Sequence, residues 1–319
     1  MQKDVLPSTK EVVLAAKFVS INDSAIESFS KTFQWKDISD LESEVAESKS
    51  MVEIIGTIFL FNAVNFCFWP NLGEKKWKIE GVNGLVGGST GAYAAIERAV
   101  KGGVPLFNTQ FLANLTREQG EDIFRGSVEI PLLDERLNNL RELGMVVSER
   151  FGGDFLNVFE TANGNAIDLT DLFISNFSSF NDFAILDNTK IEFYKRAQIN
   201  ASMINNYIVK NGHKELVGLE KLTAFADYKV PQVLRKFGIL EYSSELSAMV
   251  DNSINIPAGS REEVEIRATT IWAIEYIKEK LRSKFPNITA RQIDYYLWDM
   301  SQVQFADDKP YHRTRTIFY

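Results

Sequence analysis

Histidine and cysteine are nearly absent: the chain holds two histidines, His213 and His312, and one cysteine, Cys67. A single cysteine excludes an intrachain disulfide and fits a reducing compartment. Cys67 stands in an apolar run, where a buried, inert thiol is the ordinary outcome. So little imidazole and thiol argues against the usual zinc ligand sets, and neither a metal nor another cofactor is expected. If the chain is an enzyme, carboxylates, Lys, Tyr and Arg must carry the chemistry. An excess of positive charge is missing too. The formal net charge is −8 over 319 residues, with acidic and basic side chains interspersed. A polyanion binder carries a basic face, so duplex DNA and whole tRNA are poor partners, whereas a small phosphorylated ligand needs only a few Arg and Lys. Long apolar runs are lacking as well. The longest, Ile54 to Trp69, is interrupted by Gly56, Thr57, Asn62 and Asn65 and falls short of the roughly 20 residues of a membrane span. It reads as a buried core helix. Met1, Gln2, Lys3 and Asp4 lack the basic start and apolar core of a signal peptide. A cytoplasmic protein without a membrane partner is expected.

What the sequence does have is helix punctuation. Ser8 with Glu11, Ser24 with Glu27, Thr116 with Gln119 and Ser260 with Glu263 have capping-box spacing, in which the hydroxyl and the longer side chain satisfy orphan N–H groups reciprocally. Stops are expected at Pro70, Gly102-Gly103, Gly152-Gly153 and Pro286. Between them apolar residues recur at helical spacing, as in Leu133, Leu137, Leu140 and Val147, and again in Ile271, Ile274 and Ile277 to Leu281. Strand signals are few. Phe183 to Leu186 and Lys190 to Tyr194 flank Asp187-Asn188, a turn that would close a short β-hairpin, and Arg313 to Tyr319 suits a short strand or extended tail. The expected fold is mainly α with at most a short β-hairpin. Residues 1–319 read as one globular unit with two helical lobes and a soft boundary near 180–188.

Several words could carry chemistry. Gly84 to Gly91 (GLVGGSTG) lacks the Lys of a phosphate-binding loop; it reads as a loop whose Ser89 or Thr90 caps the helix containing Tyr93 to Val100. In NAVNFCFWP, Phe66 and Trp69 are either aromatic core or the wall of a slot for a flat heterocycle, with Asn65 bonding its edge. Lys195, Arg196 and Gln198 open a helix in FYKRAQ, where positive charge opposes the dipole. They are either solvated or held by an anion, a partner carboxylate or a ligand. In FADYKVPQ, Leu219 to Phe225 suits one short helix and Pro231 starts another that ends near Gly238. Asp227 and Tyr228 then fall in the connector of a helix-hairpin-helix-like unit. A carboxylate there is either a plain cap or an ionised group facing developing positive charge. Asp294 and Trp298 share a face of a helix capped by Thr289 and Gln292, and His312, Arg313 and Arg315 form a cationic cluster suited to a phosphate or to surface ion pairs.

The words FNAVNFCFWP, FYKRAQ, LTAFADYKVPQVL, EVEIRA, DYYLWD and HRTRTIFY, in this order and spacing from the Ile54 helix to Tyr319, resemble the queuosine salvage protein family. Members are queuosine 5′-phosphate N-glycosylases/hydrolases with a helical fold related to helix-hairpin-helix DNA glycosylases. The resemblance implies a catalytic pair at Lys195 and Asp227 and a base-recognition acid at Asp294. It implies release of queuine and ribose 5-phosphate from queuosine 5′-monophosphate, a small-molecule partner. Asn65, Phe66, Trp69, Tyr228, Trp298, Arg196, His312 and Arg313 complete the candidate substrate-binding set, with His312 and Arg313 placed at the 5′-phosphate. Two other readings stand beside it, a base-excision DNA glycosylase and a non-catalytic binding module for a modified nucleoside.

Overall fold

A computed structural model describes residues 5–34, 50–81, 84–303, 305 and 308–319. Met1, Gln2, Lys3 and Asp4 lie outside the described residues. The chain forms two compact units, each assembled from separate stretches. One draws on residues 1–46, 182–198 and 217–315, the other on residues 47–181, 199–216 and 316–319. The fold is mainly helical, and strands occur among the described residues only as short antiparallel pairs. No helix among them is long and apolar enough to cross a membrane.

The first unit is built on the helix Arg261–Leu281. Ile266, Ile271, Ile274 and Ile277 are fully buried along it, and the helices Val5–Leu14, Asp23–Thr32 and Ala290–Met300 pack on its flanks. Glu265, buried in its second turn, accepts the N–H groups of Lys17 and Phe18 and so anchors the entry to the strand Val19–Ile21. That strand pairs with Leu240–Tyr242. The expected hairpin is present as Phe183–Leu186 against Thr189–Glu192. Its turn residues Asp187 and Asn188 both take positive φ, 49° and 62°, the backbone that a two-residue turn requires and that Asp and Asn tolerate.

In the second unit the helix Met51–Val64 is buried from Ile54 through Val64, which is why its sequence is apolar around the whole circumference. Ser50 and Glu53 form a capping box at its start. The helix Leu133–Arg150 lies against it and against Thr109–Ala113.

Local signals fared unevenly. Thr116 with Gln119 and Thr289 with Gln292 make complete boxes. Ser260 caps as expected, but Glu263 takes the N–H of Gly259 instead. Ser8 sits inside the helix Val5–Leu14, and the cap ahead of Ser24 is Asn22, whose shorter amide reaches Ala25 N–H. The Met51 helix stops at Val64, not Trp69. Gly84–Gly87 is a strand paired with Lys78–Gly81, and the helix Gly88–Lys101 starts from Gly87 with no side-chain cap from Ser89 or Thr90. Leu219–Phe225 is not a helix: a 3-10 turn over Leu219–Lys221 gives way to extended chain. The second half of that motif stands as Val230–Lys236 with Pro231 in its first turn.

Candidate active site

Lys195, Asp227 and Asp294 all lie in the first unit and all three side chains are buried. Lys195 is the first residue of the helix Lys195–Lys210. The hairpin strand runs into this helix through Tyr194, whose φ of 53° is a strained value for an aromatic residue. Asp182 holds the junction. Its carbonyl accepts the N–H groups of Phe193 and Tyr194 at 3.0 and 3.1 Å, and its carboxylate accepts that of Lys195 at 3.2 Å. This carboxylate compensates the helix N-terminus that a lysine alone would oppose.

The same carboxylate receives a bidentate contact from Arg267, Nη1 to Oδ1 at 2.9 Å and Nη2 to Oδ2 at 2.5 Å. Arg267 Nε donates to the carbonyl of Ala226 at 3.2 Å, and the guanidinium lies 3.9 Å from the centre of the Phe193 ring. A second tie joins the two segments: Gln198 donates to Phe193 O and accepts the N–H of Thr223. Asp294, on the helix Ala290–Met300, accepts the N–H of Phe225 at 2.8 Å. The extended chain from Thr223 to Ala226 is thus held by side chains, and it delivers Asp227. Asp227 Oδ1 accepts from Lys229 and Val230 at 2.8 and 2.9 Å, capping the Pro231 helix. No hydrogen bond from a described residue reaches Asp227 Oδ2 or Lys195 Nζ.

The electrostatics of the three groups are coupled. Burial pushes the Asp227 carboxyl up, while the charge of Lys195 and the two backbone N–H groups pull it down. Burial pushes the Lys195 ammonium down, and Asp227 supports its charged form. Asp294 is pushed up to about 8 by burial and by the charge of Asp227. At neutral pH the free protein therefore holds Asp294 as a carboxylic acid beside Asp227 and Lys195. Environments that separate the protonation of neighbouring carboxyls are a hallmark of acid–base sites.

The remaining sequence candidates divide between the units. Arg196 is buried in the first turn after Lys195. Tyr228 is half-buried with its ring 4.9 Å from that of Tyr311, and Trp298 is half-buried one turn beyond Asp294. His312 departs from the sequence reading. It is fully buried, and burial together with the nearby charge of Arg267 pushes its pKa down to about 3. It is neutral at physiological pH and adds no positive charge to a cluster with Arg313 and Arg315. Arg313 is buried and its carbonyl accepts the N–H of Ile256, so the tail is extended here, with an isolated parallel bridge to Asn255. Asn65, Phe66 and Trp69 belong to the second unit and are buried there. Asn65 donates to Asn62, which in turn donates to Asn200. Arg136 lies over the Phe66 ring and donates to the carbonyls of Val64, Phe66 and Cys67. Sequence reasoning missed Arg136, Asp182 and the role of Arg267. For Arg267 the signal was within EVEIRA, where a cation sits four residues after Glu263.

Residues 45–319 match the family model for the queuosine salvage protein. The chain belongs to this family. It is 41% identical over 317 residues to a queuosine 5′-phosphate N-glycosylase/hydrolase of Sphaerobacter thermophilus, an alignment covering 99% of this chain and 97% of that protein. Proteins of the same description from Nematostella vectensis and Mus musculus are 36% and 33% identical, over 91% and 90% of the chain and 88% and 87% of their own lengths. Membership of the queuosine salvage family thus extends to both bacterial and animal relatives.

Proposed function

We propose that this chain hydrolyses the N-glycosidic bond of queuosine 5′-monophosphate, releasing queuine and ribose 5-phosphate, with Asp227 and Lys195 as its catalytic pair. The observation that carries the reading is the buried Asp227 carboxylate, one oxygen held by two backbone N–H groups and the other bonded to no described residue, with Lys195 as counter-charge. A 7-deaza base has carbon in place of N7 and so lacks the easy protonation that would make it a better leaving group. The enzyme must help the sugar, whose transition state carries oxocarbenium-like charge. Asp227 supplies negative charge at C1′, and Lys195 offsets part of the burial that pushes that carboxyl up. Asp294 reads the base. A cationic amine on the base favours the ionised form of Asp294, whose proton passes to solvent, and the carboxylate becomes its ion-pair partner. The substrate is the free nucleotide and not nucleic acid, in keeping with the net charge of −8. Neutral His312 leaves Arg313, Lys195 and Arg196 as the cations for the 5′-phosphate.

The test is incubation with queuosine 5′-monophosphate and queuosine side by side, with detection of free queuine. Release from the monophosphate is expected, and Asp227→Asn removes most of it while preserving shape and fold. No queuine from the monophosphate, or an Asp227→Asn protein working near the parent rate, refutes the reading.

A further inference from the structure

We propose that the buried Asp182–Arg267 pair is a positioning device that sets Lys195 and Asp227 against each other. The inference rests on the reading of Lys195 and Asp227 as the catalytic pair. Asp182 makes three hydrogen bonds to consecutive residues, from the N–H groups of Phe193, Tyr194 and Lys195. It thereby holds Tyr194 in its left-handed conformation and fixes where the Lys195 stem begins. Arg267 takes hold of Asp182 with both terminal nitrogens, meets Glu263 Oε1 at 3.5 Å, and gives its Nε–H to the carbonyl of Ala226, the residue before Asp227. Its flat face lies on Phe193. One planar, rigid group thus spans the two segments that carry the pair, each gripped at the backbone within one residue of its functional side chain.

Both side chains face protein partners: the Asp182 carboxylate takes Arg267 and the N–H of Lys195, and Arg267 takes Asp182, Glu263 and the Ala226 carbonyl. A buried ion pair is also a weak device for stability alone, because packed apolar residues often serve the fold as well. What a bidentate guanidinium supplies and apolar packing does not is fixed direction. Reaction rates depend steeply on such placement.

The variants are Arg267→Lys and the double substitution Asp182→Leu with Arg267→Met. The double form removes both charges of the pair together, and Glu263, whose carboxylate Arg267 also meets at 3.5 Å, keeps the N–H of Gly259. In the folded double variant kcat is expected to fall about 10²-fold with KM within about threefold, because binding groups are kept and alignment is lost. Arg267→Lys, which keeps the charge without the planar fit, falls between the two. A folded double variant with parental kcat, or one changed only in KM, overturns the proposal. A second readout needs no turnover. The Lys195 midpoint is followed by NMR of ¹³Cε-lysine with Asp227 intact and as Asp227→Asn. In the parent background Asp227→Asn lowers the midpoint, since Asp227 supports the charged lysine. In the double variant and in Arg267→Lys the same change is expected to shift it less than half as far. An undiminished shift means the pair does not set the Lys195–Asp227 geometry. If the parent releases no queuine, the proposed function fails and this coupling alone decides the positioning role.

Discussion

His312 and Arg313 are adjacent in the chain and have opposite electrostatic fates. Burial keeps the imidazole neutral down to about pH 3, whereas the guanidinium stays charged wherever it is placed. Of the C-terminal cluster, Arg313 is therefore the residue to test at the phosphate. A charge-assisted bond to that group is worth about 1.5–3 kcal/mol. Arg313→Ala is expected to lower kcat/KM on queuosine 5′-monophosphate by roughly one to two powers of ten and to leave queuosine itself nearly untouched. Equal slowing of both substrates would assign Arg313 to the scaffold and move the phosphate to Lys195 or Arg196. At this scale the sequence was readable where a residue sits in a distinctive word: Lys195, Asp227 and Asp294 are brought into one buried, electrostatically coupled group. Asp182 was not readable. It stands between Asn181 and Phe183 in no recognisable pattern, and its value comes from Arg267, far away in the chain.

Elements follow the same division between local and distant causes. Thr116 and Thr289 cap because both halves of a capping box lie within four residues, so the sequence contains the whole interaction. The stretch Leu222 to Ala226 misleads because its backbone partners are elsewhere. Thr223 N–H goes to Gln198, Phe225 N–H to Asp294, and the Ala226 carbonyl to Arg267. Each bond replaces one that a helix would have made, and no local signal records it. Gly144 shows the same limit in the second unit. It reads as a mild flaw in the helix Leu133–Arg150, yet a Cβ there would lie 2.5 Å from the Ala113 nitrogen and 2.6 Å from the Thr109 carbonyl oxygen. The helix Thr109–Ala113 approaches at that glycine, backbone against backbone. Gly144→Ala should therefore destabilise by about 1–3 kcal/mol, despite the better helix propensity of alanine. Urea denaturation checks this, and a stabilised variant would show that the two helices move apart freely.

For the molecule as a whole, two buried groups give opposing pH dependences. Asp294 titrates near 3.8 in an unperturbed setting and near 8 in the fold. Between those values the folded state holds the extra proton, so its contribution to stability declines as pH rises, by up to about 1.4 kcal/mol per pH unit. His312 titrates near 6.5 unperturbed and near 3 in the fold. There the unfolded state holds the extra proton, and stability rises with pH across that window. From about pH 4 to 6.5 the two slopes oppose each other, and from 6.5 to 8 the decline due to Asp294 continues without the opposing rise from His312. Asp294→Asn removes that decline. Its Tm relative to the parent is expected to climb from pH 5 to pH 8 and level off beyond, as followed by thermal unfolding across this range. A gap that stays constant with pH would mean Asp294 is ionised in the fold.

The division of the chain into interleaved stretches also bears on how it is made. Residues 47–181 contribute the greater part of the second unit, but that unit includes 316–319, where the carbonyl of buried Tyr319 accepts the N–H of Cys67. Cys67 is among the early residues to leave the ribosome, and it waits for its partner until Tyr319 has been synthesised. The Cys67–Tyr319 hydrogen bond therefore forms only after the first unit's own later stretch, residues 217–315, has been made, so the two units are completed in interleaved order and not one after the other.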